Sequence, residues 1–450
     1  MTHYLIIGTG AAGVSAAETI RKHDPKGQII LIGEEPDGYY SRPGLAYILT
    51  GEIPEEQLSP FSVEDFKRLN IHLIPEQATN VDVNSKQVTL ASGKTLLYDR
   101  LLLATGAQAR PAGVPGEKLP NGATLPGVVQ LDNFANTREI IQRTRKAKTA
   151  VVVGGGITAL ELVEGLVARG IKTHYFLRGD RYWSNVLDET ESRIVEHRLQ
   201  EEGVTIHFNT EIETILSKPG GLFGRGPLQV SGVKTKAGAT IPCEMVGVAV
   251  GVGPRLELAK AAGLRIEKGV VVDETMQTSH PDIYAAGDVA QVRDPMTGKP
   301  VMDVLWPTAR DQGRVAGANM AGVHTLYKKD IPLNVTRLAG LTTTIIGAIG
   351  GNTPDKDTIG IVRGDSETWR EIPEAIAAQS NFEVNRIRLM VGEHTLLGAI
   401  VMGDQKLSQP IHQMVARQMD ISPIRTQLLA PNARVGEIIA AFWQQARGSA

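Results

Sequence analysis

Short apolar runs rich in β-branched residues recur along the chain and alternate, over its first two thirds, with longer stretches of helical periodicity. Tyr4–Ile7, Gln28–Ile32, Ile71–Ile74, Lys86–Leu90 and Leu101–Ala107 read as strands, as do the run from Val151 to Val153, Lys172–Leu177, Met245–Val250 and the apolar run that ends at Gly287-Asp288. Between them Val14–His23, Thr137–Lys146, Leu160–Arg169 and Ala309–Met320 read as helices. Nearly continuous apolar strands separated by helices describe parallel sheets covered on both faces, so the expected class is α/β. Gly203–Phe208, Gln229–Thr235 and Thr240–Pro242 are expected as strands at the edge of the second unit, with Lys218–Pro227 a glycine–proline loop between them. From about residue 325 the character changes. Strand-like segments (Leu333–Ile349, Asn385–Met390, Leu396–Met402) lead into helical Pro410–Met419 and Val435–Gln444, which predicts a separate α+β domain.

Two of the strand-to-helix turns are built from small residues. After Tyr4–Ile7, Gly8, Gly10 and Gly13 give G-x-G-x-x-G with Ala11 and Ala12 between them. After Val153, the residues Gly154, Gly156 and Ala159 give G-x-G-x-x-A. Such a turn lets backbone N–H groups at a helix N-terminus meet a pyrophosphate, with the helix dipole favouring the anion. In the first unit Glu34 follows the second strand, about twenty residues past the glycines, where an acid binds ribose hydroxyls. The ligand it suggests is the ADP half of FAD or NAD. In the second unit that position holds Leu177, followed by Arg178 and, past Asp180, Arg181. A carboxylate there repels the extra phosphate of NADP, whereas an arginine binds it bidentately, which favours NADPH over NADH. The alternative is that both arginines are solvated and paired with Asp180 or Asp188. Two dinucleotides on one chain indicate electron transfer between them.

Other segments fit around these turns. Arg42 and Pro43, in Tyr39–Pro43, form either a proline-fixed loop or an approach to a phosphate or flavin. Thr105 and Gly106 end an apolar strand with small residues that let backbone pass close to a cofactor. Gly253 lies in Gly251–Arg255, which leads the chain out of the second domain. Gly287-Asp288 ends another apolar strand, where an Asp can accept from a ribityl hydroxyl. Trp306 and Thr308 precede the Ala309–Met320 helix, whose N-terminus favours negative charge on a reduced flavin. Trp306 reads equally as a core aromatic.

The 47 basic and 49 acidic side chains advertise no nucleic-acid or membrane surface. Cys243 is the only cysteine, so an intramolecular disulfide and a cysteine-ligated iron–sulfur cluster within this chain are excluded. The histidines show no metal-ligand spacing, and no metal is expected. The start reads as a first strand, not as a signal peptide, and no apolar run is long enough to span a bilayer. A soluble, cytoplasmic protein is expected.

The motifs GTGAAG, LLLATGA, VVVGGGITALE, GVGPR and YAAGDVA occur in the order seen in flavoprotein reductases of the pyridine nucleotide–disulfide oxidoreductase superfamily, and the first 320 or so residues resemble that family. YYSRPGL resembles the branch of rubredoxin reductases, ferredoxin reductases and the flavin portion of nitrite reductases. The resemblance implies an FAD domain (1–113 and 246–324) split by an inserted NAD(P) domain (114–245), followed by an interface domain (325–450). It places Gly8, Gly10, Gly13 and Glu34 on the FAD adenosine and pyrophosphate, and Arg42, Pro43, Thr105, Gly106 and Asp288 along the rest of the FAD. Gly154, Gly156 and Ala159 go to the nicotinamide dinucleotide. Glu161 matches a glutamate beside flavin and nicotinamide, with a plain helix glutamate as the alternative. A lysine that relatives often pair with this glutamate is replaced by Tyr47. The redox cysteine of other members is missing around Ser41-Arg42.

The implied activity is hydride transfer from NAD(P)H to FAD and electron transfer to a protein or small acceptor, with a homodimer an open expectation. Two rivals remain. One is a redox sensor in the manner of apoptosis-inducing factor, and the other is the flavin subunit of a larger electron-transfer complex.

Overall fold

A computed structural model describes residues 1–220, 226–294, 298–349, 385–430 and 433–448. The part of the Lys218–Pro227 loop from 221 to 225 lies outside them. The first sheet is parallel, in the order Ile283–Ala285, Arg100–Leu103, His3–Ile7, Gln28–Ile32, Ile71–Ile74. Its apolar runs are buried by the helices and by the antiparallel strands Ala78–Asp82 and Gln87–Leu90, whose Val81, Val88 and Leu90 share its core: Leu5, Ile6, Leu31, Leu101 and Ile283 are all inaccessible or nearly so. Ala11–His23 packs along Trp306–Met320 almost backbone to backbone. A Cβ on Gly313 would stand 2.2 Å from the Ala12 carbonyl oxygen, and one on Gly317 2.5 Å from that of Ala16. Small residues on both helices join the two ends of this unit, although some 290 positions separate them.

The second sheet is also parallel, in the order Thr205–His207, Lys172–Phe176, Thr149–Val153, Met245–Val248, Val128–Val129. Met245–Val248 thus completes the inserted unit, so 246–248, which the sequence reading assigns to the first domain, sit in the second sheet. Leu228–Thr235 and Thr240–Pro242 are not edge strands of that sheet. With Ile212–Pro219 they form a separate antiparallel sheet that covers one face of it, Val230 and Val233 packing on Val151, Phe176 and Val246. The opposite face carries Ile157–Ala168 and Glu189–Glu201. Glu189–Glu201, absent from the sequence reading, is started by a capping box in which Asp188 and Glu191 exchange side-chain and backbone hydrogen bonds. The segments entering and leaving the unit, Ala107–Ala109 and Val252–Pro254, pair antiparallel, which lets an insertion hang from two adjacent linkers.

The third unit is an antiparallel sheet ordered Leu333–Leu338, Leu341–Gly347, Leu396–Met402, Arg386–Val391, backed by Ser408–Ala416, Ser422–Leu428 and Val435–Gly448. Its first hairpin turns on Ala339 and Gly340, both at positive φ (47° and 76°), the geometry of a two-residue primed turn. That turn docks on the second unit. Arg198 Nε donates to the Ala339 carbonyl at 2.6 Å, and the Gly340 N–H donates to Glu164 Oε1 at 3.1 Å. Arg386 and Arg388 reach Asp188 and Glu191 at 2.6 and 2.9 Å, across the start of the Glu189–Glu201 helix.

Candidate functional site at the glycine turns

Gly8 leaves the first strand at φ +120°, with its N–H on the Ile32 carbonyl at 2.7 Å. A Cβ there would lie 2.0 Å from the Ala104 carbonyl oxygen, and one on Gly13 2.0 Å from that of Gly8, so both must be glycine to close the turn. Gly10 differs. Nothing in the protein lies within 4 Å of its Cβ direction. It caps Ala11–His23 without a side-chain hydrogen bond, leaving the first N–H groups open to an anion. The second turn repeats the arrangement: Gly154 at φ +143° crowds the Ala249 carbonyl, while Gly156 faces open space and caps Ile157–Ala168 with no side chain. Buried Ala159 completes that turn, its Cβ 3.0 Å from where a Cβ on Gly154 would be.

A cavity of about 620 Å³ opens in front of the first turn. Gly8, Gly10, Ala11, Ala12, Glu34, Arg42, Pro43, Thr105, Gly106, Glu161, Gly287, Asp288 and Trp306 line it, so the fold gathers most of the sequence candidates around one space. Several hold each other. Arg42 forms an ion pair with Glu35 and donates to the Asp132 carbonyl at 2.6 Å, and Tyr40 donates to the same Glu35. Burial works against the Arg42 charge, but Tyr40, Glu35 and Asp132 outweigh it and raise its pKa. Burial raises the Tyr40 hydroxyl far above its usual range. Thr105 donates to the Arg255 carbonyl at 3.0 Å, and Gly287 donates its N–H to Gln312 Oε1 at 2.8 Å. Glu34 pairs with Arg255, so the acid at the ribose position reaches this cavity already bound to a cation.

Other candidates lie elsewhere. Thr308 hydrogen-bonds Asp303, whose carboxyl is pushed up by burial, and is not part of the cavity lining. Gly253 sits in the linker pair, where its Cβ direction meets Arg110. Arg181 pairs with Asp180 at 3.6 Å, whereas Arg178 is exposed and has no ion pair among the described residues. Asp188 is taken by Arg386. Arg178 follows Lys172–Phe176, which runs in register beside Thr149–Val153, so it stands at the same sheet edge as Gly154 and Gly156. Burial pushes the Cys243 thiol up to about 12, an unreactive state.

The sequence reading missed Glu35, Asp132, Thr158 and Arg255. Thr158 and Arg255 stand inside motifs already singled out. Asp132 carries no local signal, because its role is a carbonyl offered to a side chain 90 positions away.

The cavity fits an FAD on its own terms. Gly10 leaves the space that a phosphate needs, a capless helix points its N–H groups into it, and the volume is that of a ligand-sized pocket. Among the described residues, no group of three or more His, Cys, Asp or Glu is placed to hold a metal ion, and no helix is long and apolar enough to cross a membrane.

The family model described as pyridine nucleotide-disulphide oxidoreductase matches residues 2–313. Rubredoxin-NAD(+) reductase of Pseudomonas putida is 30% identical over 77% of this chain and 86% of its own length. The NADH-dependent phenylglyoxylate dehydrogenase subunit epsilon of Aromatoleum evansii is 27% identical over 98% of both chains. The solved putidaredoxin reductase–putidaredoxin complex shares the fold with a TM-score of 0.77 at 23% identity, covering 98% of each chain. The split nucleotide unit, its inserted partner and the matched family model lead to one conclusion: the chain belongs to the pyridine nucleotide-disulphide oxidoreductase family and is an oxidoreductase dependent on FAD and a nicotinamide nucleotide.

Proposed function

We propose that the protein binds FAD in the 620 Å³ cavity and a nicotinamide nucleotide at the second glycine turn, with Glu161 at the boundary between them. Bound there, FAD accepts hydride from NAD(P)H and passes the electrons to an acceptor. The chain's residues bind and orient. The N–H groups after Gly10 and Gly156 hold the two pyrophosphates, Glu34 and Arg255 hold the ribose end of the cavity, and Asp288 a ribityl hydroxyl. Glu161 positions the nicotinamide. The observation that carries this reading is that Glu161 and Thr158, on the helix started by the second turn, line the cavity built by the first.

NADPH is the donor that Arg178 favours: an exposed guanidinium without an ion-pair partner among the described residues, at the edge where the 2′-phosphate of NADP belongs. The two relatives above are named for NAD(+) and NADH, and NADH is the alternative donor. The acceptor is a small redox protein of the rubredoxin or ferredoxin kind, or a small molecule. A second reading, the flavin subunit of a larger complex, is favoured by the full-length match to a protein named as a dehydrogenase subunit.

Anaerobic stopped-flow reduction with NADH and NADPH in separate runs tests the proposal. Fast bleaching of the flavin band by one nucleotide supports it, and a protein that cannot be loaded with FAD refutes it. Iron–sulfur or other redox proteins that co-purify in stoichiometric amounts would move the weight to the subunit reading.

A further inference from the structure

Behind Glu161 lies a second, much smaller cavity of about 20 Å³, whose polar lining is Tyr47, Thr50, Glu161, Glu164, Thr336 and Arg337. That is room for one water, and the lining offers it several polar partners. Glu161 borders both cavities. Glu164, one turn further along the same helix, borders only the small one, and residues three apart on a helix are neighbours. The far wall comes from the third unit. Arg337 is locked there by two hydrogen bonds to Glu52, one of 2.7 Å, and lies over the Tyr47 ring at 5.1 Å. Outside the lining, Tyr175 and Tyr182 lie within electrostatic reach of Glu164; both are fully inaccessible, and neither hydroxyl has a hydrogen-bond partner among the described residues.

We propose that Glu161 and Glu164 share one proton through a water held in this small cavity, so that the charge on the wall of the nucleotide cavity is set by the carboxyl pair. The proton leaves the Glu164 carboxyl for the water, and the water gives another to the Glu161 carboxylate. Glu164 is then the anion, held by the Gly340 N–H and the Arg337 charge, and Glu161 is neutral. The reverse transfer restores the start, and no other reactant is needed. Glu164 is a positioning residue, acting on the nucleotide site only through Glu161.

Each element packed around Glu164 contributes to its titration. Burial pushes its carboxyl up to about 7, and Arg337 on the first hairpin strand lowers it. Glu202, after the Glu189–Glu201 helix, raises it, the Gly340 N–H lowers it, and Glu52 raises it. Tyr175 and Tyr182 face it as neutral hydroxyls, since burial moves both far above their ordinary range.

The proton location does not depend on the FAD proposal; only its consequence does. The test is infrared difference spectroscopy of the carboxyl stretch as pH is stepped through neutrality, on wild type, Glu164→Gln, Glu161→Gln and Arg337→Gln, with and without FAD. A protonated-carboxyl band that titrates near neutral pH in wild type, is lost in Glu164→Gln, moves in Glu161→Gln, and titrates at higher pH in Arg337→Gln supports the pair. In the FAD-loaded protein the flavin absorption should shift with the same midpoint, and Glu164→Gln should abolish that shift. The proposal is overturned if no carboxyl titrates near neutrality, or if the Glu164 band is indifferent to Glu161→Gln. Failure to bind FAD would sink the proposed function and leave the infrared titration intact, so the two failures are distinguishable.

Discussion

Replacing Gly8 and Gly10 by alanine, one at a time, should separate folding from cofactor binding within a single turn. At Gly8 an alanine must adopt φ +120° and place its methyl 2.0 Å from the Ala104 carbonyl oxygen. The backbone strain costs about 1–3 kcal/mol. Forcing the two strands apart costs about 1–3 kcal/mol more. The sum, roughly 2–6 kcal/mol, is a large share of the roughly 5–15 kcal/mol by which a domain is stable. At Gly10 the backbone is ordinary (φ −84°, ψ −172°) and no protein atom lies within 4 Å of the added methyl. Gly10→Ala should therefore unfold like wild type. Its methyl instead occupies the space of the pyrophosphate, and losing one charge-assisted hydrogen bond of about 1.5–3 kcal/mol weakens FAD binding roughly tenfold to a hundredfold. Thermal unfolding of flavin-free protein by circular dichroism reads the first effect, and titration of FAD fluorescence reads the second. Wild-type FAD affinity in Gly10→Ala would refute the placement of the phosphate at this turn, and an unchanged melting temperature in Gly8→Ala would refute the steric argument.

The remaining predictions concern other parts of the chain. Arg178→Glu should weaken NADPH binding at least tenfold more than NADH binding, since an arginine–phosphate contact is worth about 1.5–3 kcal/mol; equal losses in a binding titration would remove the phosphate contact. Asp188→Asn keeps a good N-cap and deletes only the charge facing Arg386 and Arg388. Burial opposes the Asp188 charge, but the Glu191 N–H and the two arginines outweigh it and hold its pKa below the usual carboxylate range. Its stabilisation, discounted for partial exposure to about 1 kcal/mol, is thus full at neutral pH and lost as pH falls through the folded-state value. Wild type and Asp188→Asn should accordingly differ in urea midpoint at neutral pH and converge in acid, and a constant difference at every pH would exclude a charge effect. Cys243 should resist iodoacetamide in the native protein and react on unfolding, because its thiol is pushed up to about 12; rapid native labelling at mildly alkaline pH would show that the connection carrying it, between Thr240–Pro242 and Met245–Val248, opens.

Chemistry that depends on one short segment was legible in the sequence. A glycine at φ +120° followed by one with open space in front of it is written in six consecutive letters, and the apolar strands on either side are equally local. So were both nucleotide turns, their helices and the family resemblance. Long-range pairings were not. Nothing near Arg42 announces the Asp132 carbonyl, and nothing near Glu34 announces Arg255, because each pair joins segments that follow strands of different sheets and meet only when the chain is folded. The replacement of the family lysine by Tyr47 leaves a gap in the linear pattern. In the folded chain Arg337 of the third unit lies over that tyrosine and faces the cavity shared by Glu161 and Glu164. Local backbone follows from neighbouring residues: strands, tight turns, and which helices start without a cap. The tertiary structure alone decided which charges meet, where the inserted unit ends at Val248, and that Thr308 and Arg181 turn to neighbours of their own. The physical reason is reach. Backbone conformation is set within a few residues, whereas charge, burial and proton affinity depend on everything within several ångströms in space, whatever its position along the chain.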